Sequence, residues 1–161
     1  MRLPEILRHR LPPARRLEWY PPFRALRVRV LELSQWRTVR LLLPLQPNRN
    51  PGGGMFGGAM ACVADPIAAL ACNRVFPGHK VWTRRLSLDF VHESRTDMEL
   101  RFVLSPEQEQ AIQRELSDRG RATPAFVYAF HDRSGRVCVT VNCRVALRPP
   151  DYRPPTSDKG A

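Results

Sequence analysis

From Met55 to Val75 the chain reads MFGGAMACVADPIAALACNRV, a run of small and apolar residues whose only strongly polar members are Asp65, Asn73 and Arg74. Its length and alanine content predict a helix rather than a strand. Its apolar residues fall on nearly every side, so the helix is expected to be buried on most of them. A turn-rich stretch, Asn48-Arg49-Asn50-Pro51-Gly52-Gly53-Gly54, precedes it and Pro77-Gly78 stops it. A chain carrying such a helix has to supply a surface that wraps around it.

The rest of the sequence supplies strands. Leu26–Leu33 alternates with one phase slip, which predicts a strand with a bulge. Thr38–Leu45, Val81–His92 and Thr96–Leu104 have strand character, and Ala125–His131 with Val137–Leu147 forms a hairpin around Asp132–Gly135. Leu86, Leu88 and Phe90 share one face of their strand. Ser105-Pro106-Glu107-Gln108 is a helix start, with Ser at the N-cap, Pro at N1 and Gln at N3, and that helix should end at Gly120. Strands pairing around one buried helix make an α+β class, an antiparallel sheet curled about a central helix.

At 161 residues the chain suits one core. Residues 1–18 are expected to be a helical extension broken at Pro12–Pro13, and residues 19–148 the folded domain. Trp19–Phe23 is expected to be extended because of Pro21 and Pro22. Residues 149–161, rich in proline, are expected to be a disordered tail. No apolar run reaches the ~18 residues of a membrane span, and no apolar stretch follows the basic N-terminus, so neither span nor signal peptide is expected. Cys62, Cys72, Cys138 and Cys143 form no metal-ligand pattern and read as small buried hydrophobes of a reducing cytoplasm. No metal or separate cofactor is expected.

The formal net charge is +11, and residues 1–40 hold ten arginines. Such a surface suits a polyanion: nucleic acid, anionic lipid, or a small molecule such as coenzyme A. The absence of an aromatic-interleaved basic motif argues against nucleic acid; solvated charge and local ion pairs remain the plain alternative.

Around the central helix the sequence runs Asn50-Pro51-Gly52-Gly53-Gly54-Met55-Phe56-Gly57-Gly58, then Asp65, with Thr83 and Phe90 on the next strand. This spacing resembles hotdog thioesterases of the phenylacetate-degradation type, whose pattern is Asn, a short loop, His-Gly-Gly at the helix start, an acid eight residues past the first Gly, and Ser or Thr on the next strand. Tyr20-Pro21-Pro22-Phe23, Met55-Phe56-Gly57-Gly58, Asp65-Pro66 and Val81-Trp82 are similar to an uncharacterised bacterial hotdog branch. The resemblance covers about residues 19–148. It implies a hotdog fold, an acyl-coenzyme A thioester as substrate, and a homodimer or dimer of dimers. It further implies Asp65 as general base or nucleophile and the Gly57 N–H as oxyanion donor. One departure stands out: Phe56 occupies the position of the family's His.

Each of these residues has a plainer reading beside the chemical one. A helix N-terminus offers free N–H groups and partial positive charge, so Gly57 could serve a developing oxyanion; it could equally allow a strand to pack closely. Burial of Asp65 would disfavour its charged form and suit it to base work; Asp before Pro is also an ordinary capping pair. Asn50 could orient the thioester or simply close a turn. Thr83 could hold a water near Asp65 or sit exposed on its strand. Arg84 and Arg85 could meet coenzyme A phosphates. His79, His92 and His131 read as surface residues, with His79 and His92 able to approach the site in space. Gly57 and Asp65, eight residues apart on one helix, lie ~12 Å apart. If both act on one thioester, they must come from different subunits.

Overall fold

The computed structural model describes residues 11–153. Two short helices, α1 (Pro13–Glu18) and α2 (Pro21–Ala25), lead into β1 (Arg29–Ser34) and β2 (Thr38–Leu43). The long central helix α3 (Gly57–Val75) follows, then β3 (Lys80–Phe90), β4 (Met98–Val103), α4 (Pro106–Arg119), β5 (Ala125–His131) and β6 (Val137–Arg148). The strands make one antiparallel sheet in the order β1-β2-β4-β5-β6-β3, curved about α3. The α+β architecture expected from the sequence is the one observed. Residues 1–10 of the expected helical extension lie outside the described residues, as does the expected tail beyond Arg153.

Alternation fixes the inner face. Val39, Leu41 and Leu43 of β2 are buried, as are Met98, Leu100 and Phe102 of β4 and Phe126, Tyr128 and Phe130 of β5. They close on Ala59, Met60, Val63, Ala64, Ile67, Ala68, Ala71 and Cys72 of α3. The phase slip expected in β1 is a register shift between Val30 and Glu32. α4 carries the expected capping box: Ser105 Oγ accepts from Gln108 N–H, and Gln108 Oε1 accepts from Ser105 N–H. Gly120 ends it at φ +63°.

Three expectations need correction. Residues 21–25 form a helical turn instead of extended chain, because prolines at its first two positions sacrifice no intrahelical donor. Phe23 is thereby driven into the core, fully buried. The central helix begins at Gly57, two residues later than expected: Met55 N–H donates to Ser94 O at 2.7 Å and Phe56 N–H to Asn48 O at 2.8 Å, holding both residues extended. Finally, α3 is not buried all round. Gly58, Cys62, Asp65 and Asn73 make an exposed stripe. The sheet covers one side of α3, and the small residues of the other side leave it open within a single chain. Cys62 is accordingly exposed while the other three cysteines are buried.

The start of the expected tail is anchored: Tyr152 stacks on Trp82 with ring centroids 5.8 Å apart, and the Arg148 guanidinium lies 5.9 Å from both. Arg148 is buried, and donates to Ala122 O, Leu147 O and Thr123 Oγ1.

Candidate active site

Pro66 interrupts α3 from within, leaving the Cys62 carbonyl without its intrahelical donor. The sheet holds the helix at this point. Tyr128 Oη on β5 donates to Ala64 O, and Thr83 Oγ1 on β3 donates to Asp65 O, each at 2.8 Å. Burial drives the Tyr128 phenol well above its ordinary range, so it remains a donor. The expected partnership of Thr83 and Asp65 therefore exists, but through the Asp65 main chain. The Asp65 carboxylate itself is exposed, contrary to the burial expected for it: its helix position belongs to the open stripe. Asp65 and Thr83 share a groove with Pro66, Ala69, Asn73 and Trp82.

The helix start is a second, separate place. Phe56 caps α3 without any side-chain hydrogen bond, so the first-turn amides, including that of Gly57, have no side-chain cap. A Cβ at Gly57 would lie 3.1 Å from the Phe90 ring, and one at Gly58 would lie 2.5 Å from the Phe56 ring. The close neighbour of Gly57 is thus the Phe90 ring of β3, and a side chain at Gly58 would oblige the exposed Phe56 ring to move. Phe56 and Phe90 are both more than half exposed.

Asn50 closes the preceding loop. Its Oδ1 accepts from Gly54 N–H at 3.1 Å, its own N–H donates to Gly54 O at 2.8 Å, and its Nδ2 reaches Met55 O at 3.4 Å. It lines a pocket beside the helix start with Met60, Phe90, His92, Glu93 and Ser94. His92, read from the sequence as a surface residue able to approach the site, lies in the pocket with Asn50. Two features of this region escaped the sequence reading. Ser94 is buried, and its Oγ has no hydrogen-bond partner. Asn48, also buried, ties the loop to the core by donating to Leu26 O and Pro44 O. Only a signal from tertiary proximity could have identified them, since each is an ordinary loop or strand-end residue in sequence.

The remaining candidates lie apart. Arg84 is the bulged residue of β3, at the register shift between Thr83 and Arg85. Arg85 is exposed and points to the sheet face away from α3, beside Ser87, Asn142 and Arg144. His79 Nδ1 is 3.3 Å from Phe76 O, and His131 is half-buried on β5. Burial pushes the Cys72 thiol up to about 12 and raises Cys143, so neither is a thiolate nucleophile near neutral pH. Among the described residues no group of three His, Cys, Asp or Glu side chains could hold a metal ion, and no helix is long and apolar enough to cross a membrane.

The arrangement therefore has two halves. Asn50 and Gly57 adjoin the Phe90 end of β3, while Asp65 and Thr83 adjoin its other end. Within one chain the structure does not bring Gly57 and the Asp65 carboxylate together; eight residues of helix separate them by ~12 Å.

Comparison with known proteins bears on this geometry. The family model described as "Domain of unknown function (DUF4442)" matches residues 15–147. No curated protein matches the chain. Among solved structures, a Pseudomonas aeruginosa protein of unknown function described as a "probable thioesterase", PA5026, is 22% identical, with 92% of this chain and 97% of that one covered at a TM-score of 0.76. The Haemophilus influenzae thioesterase HI1161 is 12% identical, covers 85% and 89%, and gives 0.64. The PaaI protein of the Escherichia coli phenylacetic acid degradation operon is 13% identical, covers 81% and 86%, and gives 0.61. At such identities the likeness concerns the fold. The six-stranded sheet wrapped about α3 is thus a hotdog fold, and the chain belongs to the DUF4442 family.

Proposed function

We propose that the protein hydrolyses acyl-coenzyme A thioesters as a homodimer, alone or within a dimer of dimers, with two sites at the subunit interface. The observation that carries this reading is the placement of both half-sites along β3, an eleven-residue strand at the sheet edge. An unpaired edge of this length is a template for another strand. Two copies of β3 pairing antiparallel about a two-fold near Leu86–Ser87 would set Phe90 of one copy opposite residues 82–84 of the other. Gly57 of one subunit would then approach Asp65 of its partner, and the symmetry generates two such sites.

In this site the thioester carbonyl oxygen takes the Gly57 N–H, where the helix dipole favours developing negative charge. Asp65 removes a proton from water, and the water oxygen bonds to the carbonyl carbon. Collapse of the tetrahedral intermediate breaks the C–S bond, and the departing thiolate recovers a proton. Direct attack by the Asp65 carboxylate, followed by hydrolysis of the resulting anhydride, is the other route. Thr83 fixes the main chain beneath Asp65, and Asn50 supports the helix start. His92 supplies the imidazole that the hotdog resemblance assigns to position 56. Arg84, at the bulge, and Arg85 meet the coenzyme A phosphates. The substrate carries the coenzyme, and no further cofactor or metal takes part.

The test is thiol release from a panel of acyl-coenzyme A substrates. Asp65→Asn should lower turnover about a thousandfold; equal rates in the two proteins would sink the role of Asp65. A second reading has its own observation. Phe56 stands exposed where the resemblance expects His, which suits a module that binds acyl chains without cleaving them. Calorimetric binding with no thiol release by the wild-type protein would favour it.

A further inference from the structure

The hairpin between β1 and β2 turns through Gln35 and Trp36, both at positive φ, +48° and +62°. Arg37 N–H closes the turn on Ser34 O at 2.9 Å. Turns with two positive-φ residues favour Asn-Gly, because side chains clash in that conformation. A bulky Trp at positive φ is a true outlier, and such strain persists where the surroundings hold it. Its result here is to set the Trp36 indole over α3, with the Arg74 guanidinium 5.8 Å from its ring centre.

Trp36 forms one wall of a cup of ≈ 320 Å³. Leu17 and Tyr20 from the N-terminal helices and Pro66 and Leu70 from α3 complete its apolar lining, and Arg16 and Arg74 bring two guanidiniums to it. Among the described residues neither arginine is paired with a carboxylate, although the molecule pairs many others. An apolar cup with two unpaired guanidiniums fits an amphipathic anion: apolar body against the indole and leucine, carboxylate on the arginine forks. Its volume suits one alkyl or aryl-alkyl chain. Pro66 and Leu70 also border the Asp65 groove, so the cup lies on the other flank of the same helical ridge.

We infer that this cup is a binding site for a free medium-length alkyl or aryl-alkyl carboxylic acid, held by Trp36 and Leu70 through its chain and by Arg16 and Arg74 through its carboxylate. The site stands independently of the proposed hydrolysis, because no residue assigned to that reaction contributes to it.

Titration calorimetry with decanoate tests it on the full chain. Saturable binding of one decanoate per chain is expected, equal in wild type and Asp65→Asn whether or not either protein turns over thioesters. Arg74→Gln should weaken it about tenfold or more, the usual worth of a hydrogen bond to a charged group, and decan-1-ol should bind more weakly by a similar factor. Leu70→Trp, which fills the cup, should abolish binding. Trp36→Gly should abolish it too without lowering Tm, since glycine relaxes the turn; a merely structural Trp36 would instead lose Tm and leave binding intact. Absence of saturable binding, or binding indifferent to both Arg74→Gln and Leu70→Trp, overturns the proposal. Competition by coenzyme A lacking an acyl group overturns it in favour of a nucleotide site, and displacement of decanoate by decanoyl-coenzyme A on Asp65→Asn overturns the free-acid assignment.

Discussion

At the β1 edge of the sheet, Glu18 Oε1 accepts the Val30 N–H at 2.9 Å, so α1 occupies a group that another strand would otherwise use. Inward from that edge the charges are paired across strands: Arg40 with Glu32 and Glu99, and Glu99 again with Arg101. At the β3 edge neither device is present among the described residues. Arg84, Arg85 and Arg144 are exposed without a carboxylate partner, and the strand is nearly twice as long as β1. A lone edge of this kind invites association, and natural sheets normally guard against it. The proposed dimer rests on this contrast, which gives its site its form: chemistry divided between two ends of the longer edge strand, where only a bulge and exposed arginines stand against pairing.

The sharpest way to break this contrast is to guard the bare edge. Ser87 is exposed near the proposed two-fold, so Ser87→Arg sets like charges against one another across the axis while leaving the core untouched. The expected result is a monomer by light scattering and a loss of turnover of about 10⁴-fold, since a monomer forfeits both base and oxyanion donor at every site. A monomer that retains full activity would refute the shared site.

Mixing two inactive proteins asks the same question without dissociating them. Gly57→Pro removes the N–H at the first helical position, where proline is tolerated. Asp65→Asn removes the base. Each alone should be nearly inactive. Refolded together in equal amounts, half of the dimers are mixed, and each mixed dimer has one site with both native groups. Recovery of about a quarter of the wild-type rate is expected. If Gly57 and Asp65 served the same site from one chain, the mixture would recover nothing.

Much of this molecule was legible in the sequence, for reasons that residues make plain. The central helix showed itself through an alanine-rich run too long for a strand, and α4 through Ser105, Pro106, Gln108 and Gly120, whose capping chemistry is local. The candidate site was legible as a spacing, Asn50–Gly57–Asp65–Thr83, but not as an environment. Apolar composition suggested that Asp65 would be buried; it cannot reveal that the sheet covers only one side of the helix. Pro21-Pro22 was misleading because the same residues suit both extended chain and a helix's first turn. Trp36 was invisible because nothing in Gln-Trp announces a positive-φ turn, and Asn48 and Ser94 because their neighbours arrive from distant parts of the chain.

Unguarding the β1 edge sharpens the comparison from the other side. Glu18→Ala frees the Val30 N–H to water and removes an exposed Arg15 pair that adds little. A cost of about 1 kcal/mol is expected, a fall of about 2–4 °C in Tm for a chain of this size. The freed edge should also raise the tendency to associate beyond the proposed dimer, visible in sedimentation at high concentration.

The smallest effect concerns acid. Hydrogen bonds from Arg101, and then Arg40, hold the Glu99 carboxyl down at about 2 against an ordinary 4.5. A depressed carboxyl stabilises the fold fully above its unfolded value and loses that contribution as pH falls through its folded value. Between about pH 4.5 and 2, then, part of the acid-side decline in Tm should belong to Glu99, and Glu99→Gln should flatten it there. Asp132 is held down at about 2 as well, by Ser134 and Arg136, but in the β5–β6 hairpin turn. Asp132→Asn therefore controls for the acid response of a depressed carboxyl remote from the β1 edge. If Glu99→Gln leaves the slope unchanged, the paired charges beside the β1 edge contribute nothing to holding it, and the guard there is the backbone contact of Glu18 alone.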